Sequence, residues 1–249
     1  MRDLQRPGRS PVAAPTAMAS TSHPLSSQAA INILQSGGNS LDAAIAAAAV
    51  QAVVEPGSTG IGGDCFCLYT PASSDRPIAF NGSGRAPLGL SSDWLLERGI
   101  FEITQQSPHS VTIPGAVDAW FQLNNDHGRL SLADILAPAI TYARDGYPIT
   151  QRVASDFAAG CEVLDSDGAA VFLEHGSPPV MGSRHAQPAL AKTLERIAKK
   201  GRAGFYEGRV ADDILAKLRA IGGLHTEDDF AIAVGEEDEQ YSTHTRCRE

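Results

Sequence analysis

Twelve consecutive residues, Ala43 to Val54, are apolar except for Gln51, and they lie between Asn39-Ser40 and Pro56-Gly57. A run this short suits a buried helix, since spanning a bilayer takes about 20 apolar residues. Asn39 or Ser40 is placed to cap it from Leu41 to Val54, while Pro56 and Gly57 end it. Its alanine-rich surface lets a neighbouring element approach closely. The rest of the chain has to be built around this rod.

The flanking sequence supplies that neighbour and then changes period. From His23, the residues Leu25, Ala29, Ile33 and Leu34 recur at helical spacing until Gly37-Gly38. After the buried helix, the glycine-rich turn Ser58-Thr-Gly-Ile-Gly-Gly-Asp64 leads into Cys65 to Tyr69, which reads as a buried strand, with Pro77 to Phe80 as its antiparallel partner. A short helix is predicted from Ser91 to Arg98, and a strand from Ser110 to Pro114. That strand delivers the chain, at Pro114 or Gly115, to a helix burying Val117, Trp120, Phe121 and Leu123. Segments 131–145, 150–164, 187–200 and 207–221 all favour helix, and Thr226 with Asp229 has the spacing of a capping box. Residues 1–22 read as an extended lead-in, and 23–235 as the domain. The acidic run after Gly235 stops the last helix and opens a divergent end, 236–249.

Charge and cysteine usage narrow the function classes. Against 29 acidic residues stand 20 basic ones, a net charge of -9, which repels nucleic-acid backbones and anionic lipid. The prolines at 7, 11, 15 and 24 leave no apolar core for a secretory signal, so a cytoplasmic location is expected, with no membrane partner. Cysteines 65, 67, 161 and 247 form no CxxC pair and the seven histidines no HxxxH, so no structural metal is expected. Cys65 and Cys67 alternate onto one strand face as small hydrophobes. Gly60-Ile-Gly-Gly63 follows a helix and precedes a strand, the reverse of a dinucleotide fingerprint. It is read as close backbone packing, with Asp64 stabilising the turn. His23 and His225 read as local hydrogen-bonding residues.

Six segments together carry more information than any one of them: His23-Pro-Leu-Ser-Ser-Gln28, Gly37-Gly-Asn-Ser-Leu-Asp-Ala43, Val54-Glu-Pro56 with Thr59-Gly-Ile-Gly-Gly-Asp64, Asn81-Gly-Ser-Gly-Arg-Ala-Pro87, Val111-Thr-Ile-Pro-Gly-Ala-Val-Asp-Ala-Trp120 and Gly222-Gly-Leu-His-Thr-Glu-Asp-Asp229. In this order and spacing the chain resembles the gamma-glutamyltransferase family. The resemblance implies an α/β fold: an incomplete N-terminal nucleophile hydrolase αββα sandwich with a helix-rich second half. It also implies a precursor that cuts itself before a threonine, whose hydroxyl then attacks an amide carbonyl with its own α-amine as base and with no metal or organic cofactor.

Arg85 resembles, by its place after the second strand, the arginine that holds a substrate carboxylate, a task its forked guanidinium suits. The structural alternative is a loop arginine paired with an acid. No segment matches the threonine motif. The nearest string, Ser242-Thr-His-Thr-Arg-Cys247, has charged flanks and no strand after it, so Thr243 is not taken as a nucleophile and no catalytic residue is assigned. The chain is accordingly expected to be inactive and poorly soluble alone. Its expected partners are a complementary C-terminal segment and a γ-glutamyl or other small amide. A related amidohydrolase or acylase and a non-catalytic binding remnant are the competing readings.

Overall fold

The structure is a computed structural model and describes residues 12–238. Residues 12–22 carry no helix or strand. The chain divides into two compact units, one containing residues 12–60 and 128–198, the other residues 61–127 and 199–238. Among the described residues no helix is long and apolar enough to cross a membrane.

The first unit is organised by the apolar rod. Helix α1 (Pro24–Gln35) packs along α2 (Ser40–Val54), whose buried positions, including Leu41, Ile45, Val50 and Val53, surround it except for one stripe formed by Ser40, Ala44, Ala48 and Gln51. The caps expected for both helices are present. His23 Nδ1 accepts from the Leu25 N–H at 3.2 Å, and Asn39 Oδ1 accepts from Leu41 and Asp42 while Asp42 returns the bond to the Asn39 N–H. Asp42 is fully buried and also accepts from the backbone of Arg129 at 3.0 Å, so the same carboxylate that caps α2 pins a loop 87 residues away.

The second unit opens with β1 (Cys65–Tyr69) and β2 (Ile78–Gly82), which pair antiparallel with Cys65 opposite Gly82 and Tyr69 opposite Ile78. After α3 (Ser92–Glu97) the chain makes a 3-10 turn at Pro108–Ser110 and passes into α4 (Ala116–His127). The strand expected at 110–114 is absent. Ile113 gives one ladder-like bond, to the Arg85 carbonyl at 2.9 Å, but Pro114 has no N–H and His225 holds the Val111 carbonyl, so no ladder propagates. Helix α4 buries Val117, Trp120 and Leu123 as expected, with Phe121 partly exposed.

The chain continues through α5 (Leu132–Asp145), the two-residue strand β3 (Tyr147–Pro148), α6 (Gln151–Gly160), the unexpected helix α7 (Ser166–Phe172) and β4 (Arg184–His185), which pairs with β3. Next come α8 (Pro188–Lys200), α9 (Ala203–Tyr206), α10 (Arg209–Ala220) and α11 (Glu227–Ala231), the last with the Thr226–Asp229 capping box. Residues 236–238, read in the sequence as the start of a divergent end, form β5 (Glu236–Asp238) and pair antiparallel with β2. Residues 239–249, with Thr243, lie outside the described residues.

Two further expectations change. Strand β1 is buried on one face only. Cys65, Cys67 and Tyr69 are half-covered while Phe66 and Leu68 are 70% and 69% exposed, so a continuous apolar run is here an alternating strand with one bare face. Burial pushes the Cys65 thiol up to about 11, helped by Cys67 nearby, as befits unreactive thiols.

The close backbone packing expected at Gly60-Ile-Gly-Gly63 lies mainly elsewhere. A methyl at Gly60 or Gly62 would meet open space, whereas one at Gly115 would sit 2.1 Å from the Gly82 carbonyl and one at Gly84 2.0 Å from that of Ile113. Only Gly63 contributes, its carbonyl accepting from Gly115 and Ala116 at 3.0 and 2.9 Å. Gly115→Ala is therefore expected to destabilise the second unit by about 1–3 kcal/mol through overpacking. Gly62→Ala should stay within about 0.5 kcal/mol of the parent. Urea unfolding of the two variants side by side checks the contrast.

Candidate functional site

The second unit gathers its polar chemistry where β2 runs out and α4 begins. Asp64, expected to stabilise the turn that precedes it, instead accepts from the Gly84 N–H at 2.7 Å in the loop after β2, and Asn81 Oδ1 takes the Ser83 N–H and hydroxyl. These bonds shape the loop that presents Arg85. Its backbone is fixed by Ile113, but its side chain is largely exposed at the edge of a hollow of about 250 Å³ lined by Asn81, Ser83, Val234 and Glu236.

Arg85 Nη2 is in hydrogen-bonding contact with the Glu236 carboxylate, brought alongside by the pairing of β5 with β2. Both side chains are about two-thirds exposed or more. Such pairs contribute roughly 0–1 kcal/mol and are screened by salt, so a second carboxylate can exchange for Glu236 at little cost.

Behind this exposed pair lies a buried one that sequence reading missed. Asp118, 1% exposed, accepts from Arg202 Nε at 2.8 Å, the Gly235 N–H at 2.7 Å and Gln122 Nε2 at 2.6 Å. Arg202 Nη2 donates to the carbonyls of Phe230, Ala231 and Ala233, and the guanidinium lies 4.5 Å from the centre of the Tyr206 ring. The pair therefore straps residues 230–235 in place, and with them Val234 and the approach to Glu236. Tyr206 donates to the Pro114 carbonyl at 2.6 Å, and burial raises its phenol far above its usual range, so it stays a donor.

Asp229 and His225 fasten the same region from the other side. Burial works against the Asp229 anion, yet the N–H groups of Leu88 and Thr226 and the Thr226 hydroxyl outweigh it and hold the carboxyl below its usual range. Burial lowers His225, leaving a neutral ring that donates from Nε2 to the Val111 carbonyl. His23, the other histidine singled out, caps α1 in the first unit. Ser83 has Asn81 beside it and no base, so no lining residue of the Arg85 hollow is an activated nucleophile.

The sequence from residue 26 to 248 matches the gamma-glutamyltranspeptidase family, through the stretch set apart as divergent. The chain belongs to that family. It is 41% identical over 217 residues to the glutathione hydrolase-like YwrD proenzyme of Bacillus subtilis, covering 86% of this chain and 41% of that one. To the oxamate amidohydrolase proenzyme of Klebsiella pneumoniae it is 38% identical, covering 82% and 40% respectively. It thus spans about two-fifths of the length of these curated relatives.

Among solved structures, the gamma-glutamyltranspeptidase of Helicobacter pylori superposes with a TM-score of 0.86 at 29% identity, over 91% of this chain and 67% of that one. The cephalosporin acylase of Bacillus halodurans gives 0.83 at 35%, over 94% and 46%. The chain shares the helix-rich α/β architecture of these N-terminal nucleophile hydrolases, as the resemblance implied.

No single residue type would have revealed the Asp118–Arg202 pair. The one signal was an aspartate standing among Val117, Ala119 and Trp120 on a face expected to be buried; Arg202, after Lys199-Lys200-Gly201, reads as part of a surface basic run.

Proposed function

We propose that this chain is the carboxylate-recognising part of an enzyme that transfers or hydrolyses a γ-glutamyl or related small amide. The nucleophilic threonine comes from a complementary C-terminal segment. The observation that carries the reading is Arg85: an exposed guanidinium on a fixed backbone, at the edge of a hollow, already in contact with a carboxylate that is free to leave. In this reading Glu236 occupies the position of the substrate carboxylate. The forked donors of Arg85 grip two oxygens at once and so orient the amide for attack. The buried Asp118–Arg202 strap keeps the wall of the hollow in register while Glu236 gives way.

A second reading, a related amidohydrolase or acylase, is favoured by the 38% identity to a protein named as an oxamate amidohydrolase and by the 35% identity to a cephalosporin acylase. Oxamate is itself a small carboxylate-bearing amide, so Arg85 keeps its role there and only the rest of the substrate changes.

The test combines the 249-residue polypeptide with a segment bearing the threonine motif, taken from the 41%-identical relative. Release of a chromogenic aniline from a γ-glutamyl anilide and of ammonia from oxamate are followed in parallel. Each polypeptide alone should be inactive and the pair active on at least one substrate. Turnover by this polypeptide alone would refute the proposal, as would a correctly folded pair inert towards both.

A further inference from the structure

The first unit contains a second hollow, which shares no lining residue with the Arg85 site. Pro56 and Val153 border it, with Phe157 from α6, Leu164 from the turn beyond it and Phe172 from α7, around a cavity of about 90 Å³. A single water needs roughly 10–15 Å³ on that measure, so there is room for several heavy atoms. The Phe157 and Phe172 rings stand 6.1 Å apart and tilted at 49°, offering aromatic faces as well as edges. The walls are those of an apolar ligand site.

What gives the hollow chemical character is Glu55, which follows the last residue of α2 and also lines it. Glu55 is 95% buried, being 5% exposed, and its carboxylate takes the Ser22 hydroxyl. No cation pairs with it among the described residues. Asp156, the other carboxylate of the lining, is already neutralised: Arg152 Nε lies 2.9 Å from both its oxygens. Nearby His23 does not compensate Glu55 either, because burial lowers its imidazole below the usual range despite the attraction of that carboxylate. Buried charges in folded proteins are paired or bind ions, so a buried carboxylate on the lining, held by a hydroxyl and by no cation, is suited to take one from solution.

We propose that this hollow binds a small organic ammonium, a primary amine on a short branched or aromatic hydrocarbon. The hydrocarbon lies against Phe157, Leu164 and Phe172, and the ammonium is held by Glu55, with the aromatic faces adding a cation–π contribution. A neutral compound of the same shape leaves Glu55 unpaired, and an anion is repelled by it. The proposal stands independently of the function assigned to Arg85.

Isoamylammonium chloride titrated calorimetrically into the full 249-residue chain tests it, with isoamyl alcohol as the neutral compound of the same skeleton. Saturable binding of the ammonium is expected, at least about tenfold tighter than the alcohol, because a charge-assisted bond is lost in the latter. Glu55→Gln should weaken the ammonium by a similar factor and leave the alcohol unchanged. Should that variant fail to fold, Gly57→Leu decides with Glu55 intact. Gly57 is exposed, and a side chain there grows towards Asp156 Cβ, 3.7 Å from the first added carbon, so leucine should block the hollow and abolish binding. Absence of saturable binding, equal affinity for amine and alcohol, or undiminished binding in either folded variant would overturn the proposal.

Discussion

Arg202→Met is expected to destabilise the second unit by about 3–5 kcal/mol, the largest effect of any single substitution considered, because it leaves the Asp118 carboxylate buried without its cation. Asp118 would retain two donors, the Gly235 N–H and Gln122, which do not neutralise a charge that is 1% exposed. The carbonyls of Phe230, Ala231 and Ala233 would lose their common donor at the same time. Asp118→Asn should cost less, about 1–3 kcal/mol, since the guanidinium left behind is partly exposed and keeps its carbonyl partners. The double variant should be more stable than the sum of the two costs implies, the signature of a coupled pair. Urea unfolding followed through Trp120, buried within the same helix as Asp118, gives all three numbers. An Arg202→Met variant within about 0.5 kcal/mol of the parent would mean that the pair behaves as a surface salt bridge and straps nothing.

Local chemistry made much of this fold legible before the structure. The boundaries of α2 were legible from Asn39 or Ser40 as its cap, which the structure resolves to Asn39, and from Pro56; α11 begins at the Thr226–Asp229 box, whose bonds span three residues and need nothing from elsewhere. Helix α7 escaped notice because Ser166-Asp167-Gly168 reads as a turn; Asp165 instead accepts from the Gly168 N–H at 2.8 Å and starts a helix. Strand β5 escaped because three acidic residues have little β propensity. Its pairing comes from β2, and its charges find Arg85 and His127, 151 and 110 residues away along the chain.

The candidate site was legible in the same uneven way. Arg85 and Asp64 stood out by position, while the buried Asp118–Arg202 pair depends on a contact across 84 residues that no local pattern encodes. Strand β1 makes a related point: its five-residue run cannot say which face other parts of the chain will cover, and Phe66 and Leu68 remain open.

Arg85→Lys should separate recognition from packing once a threonine-bearing segment completes the enzyme. Lysine keeps the positive charge but replaces two parallel donors by one, so a substrate carboxylate loses its bidentate grip. Loss of such a charge-assisted contact costs about 1.5–3 kcal/mol, or roughly tenfold to more than a hundredfold in kcat/KM. Because Arg85 is exposed and its pair with Glu236 contributes little, the change should leave folding almost untouched. The effect should therefore depend on the substrate. The deciding measurement is the ratio of kcat/KM for a γ-glutamyl anilide to that for the same anilide without its α-carboxylate, in the parent and in Arg85→Lys. The ratio is expected to fall at least about tenfold, with the second substrate barely affected; an unchanged ratio, whether activity survives or is lost equally on both substrates, would show that Arg85 does not hold the carboxylate.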